Sequence, residues 1–129
     1  MWEKYIMDTF AMRQTKSEYI LYRSEQLVGT ALIIVTKAEV SSHIRRVESA
    51  TKKVRSGERD PANPQTGLQG LSGNKGGVGI RLDLYDSSIC FMTCHLAAGH
   101  TNVNERNADY RTISTGMKFL RGRTIEDHE

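Results

Sequence analysis

The stretch GLSGNKGGVGIRLDLYDSSICFMTCHLAAGH, from Gly70 to His100, constrains this chain more than any other. Val78, Ile80, Leu82 and Leu84 alternate with Gly79, Arg81, Asp83 and Tyr85, the period of a strand with one buried face. From Ile89 to Cys94 only Thr93 is polar, which predicts a strand covered on both faces and central in its sheet. Asp86 and Ser87 suit the turn between them. Strands joined this tightly lie antiparallel. The glycine-rich loop before the first strand and His95 at the end of the second therefore reach one sheet edge. Loops gathered at one end of a rigid sheet are where binding and catalytic groups usually sit.

The flanking sequence supplies the rest of a small domain. MWEKYIMDTFAM places Trp2, Tyr5, Ile6, Thr9 and Phe10 on one helical stripe. YILYRS and LVGTALIIVTK read as two strands joined by a polar turn at Ser24, Glu25 and Gln26. SSHIRRVES reads as a short strand or an irregular segment. Val54 to Gln65 holds both prolines and reads as a loop. Beyond AAGHTNV, Asn104 is placed to cap a helix whose stripe is Tyr110, Ile113, Met117 and Leu120.

Composition narrows the class. The 129 residues are enough for one domain with a modest core, and 38% apolar with 26% charged residues describes a globular rather than a disordered chain. The longest apolar stretch, Leu27 to Val35, is too short to span a bilayer, and no secretory signal pattern opens the sequence. Cys90 and Cys94 sit four apart on one predicted strand, beyond disulfide reach, which fits a reducing compartment. The net charge of +3 and pI near 9.0 suit anionic substrates or acidic membrane surfaces, but are too weak to argue for DNA binding.

The loop chemistry points to phosphate. Gly70, Gly73, Gly76 and Gly77 leave backbone amides bare, Lys75 adds a point charge and Asn74 a neutral donor. It is not a P-loop, since no Ser or Thr follows the lysine and a strand follows the loop. Spacing alone favours an ordinary glycine-rich turn. His95 is equally a structural histidine and a general acid or charge stabiliser at a phosphoryl group. In ERNADYR, Arg106 and Arg111 are candidate anion ligands, with Arg111 better read as solvated. Asn107 is a candidate for holding the loop above.

Three ordered motifs shift those odds. GNKG, HLAAG and ERNADY, together with SEQLVGTAL and TIEDHE, resemble the inositol polyphosphate 5-phosphatases, most closely their fungal synaptojanin-like group. The resemblance implies an α/β four-layer sandwich of the DNase I-like, endonuclease-exonuclease-phosphatase kind. It implies hydrolysis of the 5-phosphate of a phosphoinositide, such as phosphatidylinositol 4,5-bisphosphate, with Mg²⁺ stabilising the developing charge. The partner implied is a phosphoinositide head group at a membrane surface, met by a peripheral cytoplasmic protein, with no nucleic acid. On this resemblance His95 matches the active-site histidine. Asn74 and Lys75 match the pair that reaches substrate phosphates, Arg106 and Asn107 join the substrate-binding set, and Asp109 lies near the site.

Departures from the family pattern set further expectations. The family's metal-binding glutamate, its GDxNYR and PAWCDR motifs and its late Asp-His pair have no match here. Residues 1–129 are thus expected to form an internal part of the catalytic domain, without Mg²⁺ ligands and without phosphatase activity in isolation. Residues 54–65 interrupt the family pattern, either as a surface insertion or as a short intron read in frame. Two other functions stay open: a non-catalytic phosphate-binding or interaction fragment, and a nuclease-like relative of the same fold. GNKGG argues against the nuclease.

Overall fold

The computed structural model describes residues 1–13, 16–54 and 75–128. In chain order these form α1 (Trp2–Ala11), β1 (Tyr19–Leu27), β2 (Thr30–Lys37), α2 (Ala38–Ser41), β3 (Ile44–Lys53), β4 (Gly76–Leu84), β5 (Ser87–His95) and α3 (Val103–Gly116). Two 3-10 turns follow, Leu120–Gly122 and Ile125–Asp127. Residues 55–65 of the interrupting segment lie outside the described residues, as do Gly70, Gly73 and Asn74.

β1 and β2 pair antiparallel as one sheet, and β3, β4 and β5 as another, in the order β3-β4-β5. The first hairpin turns at Val28 and Gly29, with Leu27 opposite Thr30 and Gly29 at φ 82. The expected turn at Ser24–Gln26 is instead strand. Its polar side chains find partners on the second sheet: Ser49 Oγ donates to Glu25 at 2.7 Å, and Arg23 Nη2 donates to Ser49 Oγ at 2.7 Å. The second hairpin turns at Tyr85 and Asp86, with Leu84 opposite Ser87, so Ser87 opens β5 rather than closing the turn. The SSHIRRVES segment proves both strand-like and irregular. β3 starts at Ile44 and carries a register shift between Arg45 and Glu48, where Arg46 has φ 49.

The expected roles of β4 and β5 are reversed. β4 is the strand buried on both faces, and β5 is outermost among the described strands, with Phe91 43% exposed. On one face, Val78, Ile80 and Leu82 are buried and look toward the β1–β2 hairpin. Each contributes about 1.5–3 kcal/mol on leaving water. Thr30 and Thr93 hydrogen-bond across that layer at 3.3 Å. The other face carries Gly77, Gly79, Arg81 and Asp83, residues that read as solvent-facing. Two causes bury them. A Cβ on Gly77 would lie 2.7 Å from Ile113 Cγ2, and one on Gly79 2.5 Å from Met117 Sδ, so the missing side chains let α3 and the segment after it close down. Arg81 and Asp83 then satisfy each other. Val54, Ile113, Met117 and Phe119 form the core of this layer, against Ala50, Cys90, Met92 and Cys94.

Helix expectations need two corrections. α3 begins after Asn102, not Asn104, and its buried residues are Asp109 and Ile113. Met117 is buried just beyond the helix, while Tyr110 (53%) and Leu120 (71%) are exposed. α1 forms as expected, but Trp2 and Tyr5 of its apolar stripe are exposed, and Phe10 makes the stacking contact with Tyr19 at 4.6 Å.

Candidate functional site

Register puts Gly76 opposite His95, so the entrance to β4 and the end of β5 meet. There Lys75 Nζ lies 2.8 Å from His95 Nε2. An ammonium can only donate, so Nε2 is the acceptor and the ring proton is assigned to Nδ1. Nδ1 is buried and has no hydrogen-bond partner among the described residues. The Lys75 carbonyl accepts the Val54 N–H at 3.0 Å, fixing the backbone where the chain enters β4. Lys52 and Lys53 pair with Gly77 and Gly76, so they come to the same sheet end. Among the described residues, no ion pair engages Lys52, Lys53 or Lys75. Lys52 and Lys53, adjacent on β3, face opposite sides of the sheet, and the Lys52 side chain lies against Gly116 of α3, so the contact at this end is that of Lys75 with His95.

α3 builds the segment that follows His95. The Asp109 carboxylate, buried, accepts the Ala97 N–H at 2.8 Å. The Arg106 guanidinium donates to the carbonyls of Ala97 (3.5 Å), Gly99 and His100 (3.3 Å). Arg106 and Asp109 stand three apart on one helix face, so a single turn of helix grips the backbone of residues 97–100 from both donor and acceptor sides. Arg106, expected among the substrate ligands, directs its described hydrogen bonds to this loop. Asn107 is exposed, and its carbonyl accepts from Arg111 Nε at 3.3 Å. The loop-holding role expected of Asn107 is filled by Arg106 and Asp109. Their i, i+3 spacing beside a glycine-containing turn was the signal available in the sequence. Asn74 lies outside the described residues.

Two further groups complete the local chemistry. Cys90 and Cys94 are free thiols, and burial pushes both above their ordinary range, so neither is activated as a nucleophile. Among the described residues, no three His, Cys, Asp or Glu side chains converge to hold a metal ion. These residues do not fit a resident Mg²⁺. The chemistry they do support is the binding of an anion and the movement of one proton at His95.

Comparison with known proteins fits this picture. The family described as endonuclease/exonuclease/phosphatase family 2 matches residues 1–129. An inositol-1,4,5-trisphosphate 5-phosphatase from Schizosaccharomyces pombe is 50% identical over 111 residues, 86% of this chain and 9% of that protein. A polyphosphatidylinositol phosphatase from Saccharomyces cerevisiae is 38% identical over 99% of this chain and 10% of its own length. Among solved structures, the inositol polyphosphate 5-phosphatase domain of SPsynaptojanin, crystallised with inositol (1,4)-bisphosphate and a calcium ion, superposes with a TM-score of 0.75 and 42% identity. The match covers 97% of this chain and 32% of that one. The chain therefore spans about a tenth of these curated relatives and about a third of the solved domain. The expected DNase I-like α/β sandwich is the fold it shares.

Proposed function

Because the chain belongs to endonuclease/exonuclease/phosphatase family 2, whose relatives at this identity are inositol phosphate and phosphoinositide phosphatases, we propose that it carries the phosphate-holding, proton-moving part of a phosphoinositide 5-phosphatase site. The observation that carries this reading is the 2.8 Å contact between Lys75 and His95, where Lys75 has no ion pair among the described residues. A phosphate dianion would seat against both groups. Lys75 then donates to a phosphate oxygen, and His95 holds a proton on Nε2 facing the phosphoryl group.

Hydrolysis needs water to add to phosphorus while the bond to the inositol oxygen breaks and that oxygen gains a proton. Among the described residues at this sheet end, His95 is placed to deliver that proton or to stabilise the developing charge. Asp109 and Arg106 act one step back, by fixing residues 97–100 and so the exit of β5. Lys75 contributes as a point charge throughout the reaction. A divalent cation would stabilise phosphoryl charge, but the described residues offer no ligand set for it and no step is drawn through one. The substrate is proposed to be a head group presented at a membrane surface. No helix among the described residues is long and apolar enough to cross a bilayer.

The test replaces the matching segment of the fission-yeast relative with this chain. Phosphate release from inositol 1,4,5-trisphosphate and from vesicles containing phosphatidylinositol 4,5-bisphosphate is then followed. His95→Ala is expected to lower kcat by about 10²-fold. Lys75→Ala is expected to raise KM at least as much as it lowers kcat. A His95→Ala chimera that turns over at the parent rate would refute the reading.

A further inference from the structure

A second cluster of cations lies toward the other end of β4. Arg46, Arg81, Arg121 and Arg123 surround a cavity of about 320 Å³, with Val47 and Leu120 as apolar lining and Glu48 as the carboxylate that lines it among the described residues. Arg81 stands five residues beyond Gly76 along β4, which puts it about 16 Å from the start of the strand. One phosphate cannot touch Lys75 and this cavity together.

Two of the four arginines are explained by the fold. Arg81 is fully buried, and its guanidinium donates to Asp83, Ser88 Oγ (2.7 Å), the Arg46 carbonyl (2.9 Å) and His128 Nε2 (3.1 Å). Arg46 binds Asp83 through Nε, yet its side chain stays 70% exposed, and its terminal nitrogens have no partner among the described residues. Arg121 and Arg123 are not explained at all. Neither side chain makes a hydrogen bond or ion pair with a described residue, although the turn that carries them is pinned at three points. Leu120 N–H donates to Glu48 at 2.8 Å, Phe119 N–H to the Arg123 carbonyl at 2.9 Å and Gly122 N–H to the Phe119 carbonyl at 3.1 Å. Arg121 itself is held at φ 62, a left-handed conformation unfavourable for a non-glycine residue. Strain of this kind persists where the surrounding structure enforces it and is enriched at binding sites.

From the rigid turn and the guanidinium donors left free among the described residues, we infer that this cavity is a second phosphate-binding site, for the dianion of a phosphate monoester. Four guanidinium groups meet the carboxylates of Glu48 and Asp83, and Asp127 lies near enough to Arg123 to feel its charge, so the cavity keeps a net positive charge. A phosphate monoester is largely dianionic at neutral pH and offers three terminal oxygens to the three guanidinium groups, Arg46, Arg121 and Arg123, that keep free donors among the described residues. Guanidinium forks match phosphate oxygens in pairs, and the volume suits a small phosphorylated molecule. The inference stands on residues apart from Lys75 and His95 and does not depend on the function proposed for them.

The test is residue-resolved NMR on the full chain, titrated with inorganic phosphate, with glycerol phosphate, and with acetate and chloride at matched ionic strength. The Nε–H signals of Arg46, Arg121 and Arg123 and the amides of Val47 and Gly122 report on the cavity. His95 ring signals report separately on the other end. Phosphate and its ester are expected to move the cavity signals along their own isotherm, with affinity rising as pH converts monoanion to dianion. Tighter binding of glycerol phosphate would identify an ester as the natural class, and tighter binding of inorganic phosphate the free ion. In Arg121→Gly/Arg123→Ala, where glycine suits the left-handed backbone, the cavity isotherm is expected to weaken about tenfold while the His95 isotherm holds. Cavity signals that ignore phosphate in the unmodified chain, or that follow acetate and chloride equally, would overturn the inference. An unchanged isotherm in the double variant would do the same.

Discussion

The two ends of β4 carry charge in opposite ways. At the Arg81 end, a fully buried guanidinium reaches Asp83, Ser88, His128 and the Arg46 backbone, and Asp83 also accepts from Arg46. At the Lys75 end, an ammonium meets an imidazole, and among the described residues Nδ1 of that imidazole has no partner and no carboxylate pairs with the ammonium. The first arrangement commits the Arg81 guanidinium to the fold, so beside it only Arg46, Arg121 and Arg123 keep donors for a ligand. The second leaves cations unpaired, and an incoming phosphate would complete it. A single strand thus shows how polar residues divide between holding a fold and keeping a site ready.

The sharpest way to break this contrast is Arg81→Met. It strands Asp83 in the interior without its buried partner, and breaking such a pair costs about 3–5 kcal/mol. Urea unfolding should show that loss, and Arg81→Met/Asp83→Leu should recover much of it. A single variant as stable as the parent would mean that the network holds nothing. Next in size is Gly79→Ala, which tests the middle of the strand. Its methyl group would collide with Met117 and Phe119, so a loss of about 1–3 kcal/mol is expected in the same measurement.

Acid should act on the Arg81 end. Burial pushes the Asp83 carboxyl up, but the hydrogen bonds and charges of Arg46 and Arg81 outweigh it and hold it below its ordinary value of 3.8. A depressed carboxylate contributes stability that is fully present above its unfolded value and is lost as pH falls through the folded one. Stability should therefore fall below about pH 4, and Asp83→Asn should flatten that part of the profile. The smallest change in stability is expected for His95→Ala, under about 1 kcal/mol in a thermal melt, because the ring already leaves one polar atom without a protein partner. A large loss there would make the histidine a structural residue and erase the distinction between the ends.

The sequence made the pairing of β4 with β5 legible, and with it the meeting of Lys75 and His95, because alternation and a short connection leave one topology. It did not reveal which strand is central. Gly79 reads as weak strand and Arg81 as solvent-facing, and only the approach of Met117 and the partner Asp83 make both buried. Ser24 to Gln26 look like a turn until Ser49, far along the chain, is seen to meet Glu25. The helix stripe was misassigned toward Tyr110 for a related reason. The inner face of α3 is partly charged, and Arg106 and Asp109 turn inward because a backbone loop, not solvent, is there to receive them. The arginine cavity draws residues from three distant segments and has no signature in any one of them.

The grip of α3 on residues 97–100 has a consequence for the order of assembly. Its hydrogen bonds span 6 to 12 residues of chain, whereas Arg81 reaches back 35 residues to Arg46 and forward 47 to His128. Closing a short loop is entropically cheaper than closing a long one. As the chain emerges from a ribosome, the clamp beside His95 has all its partners once α3 is out. Arg81 must wait for His128. The geometry that would serve the phosphate is thus set by the nascent chain before the network that stabilises the finished fold can close.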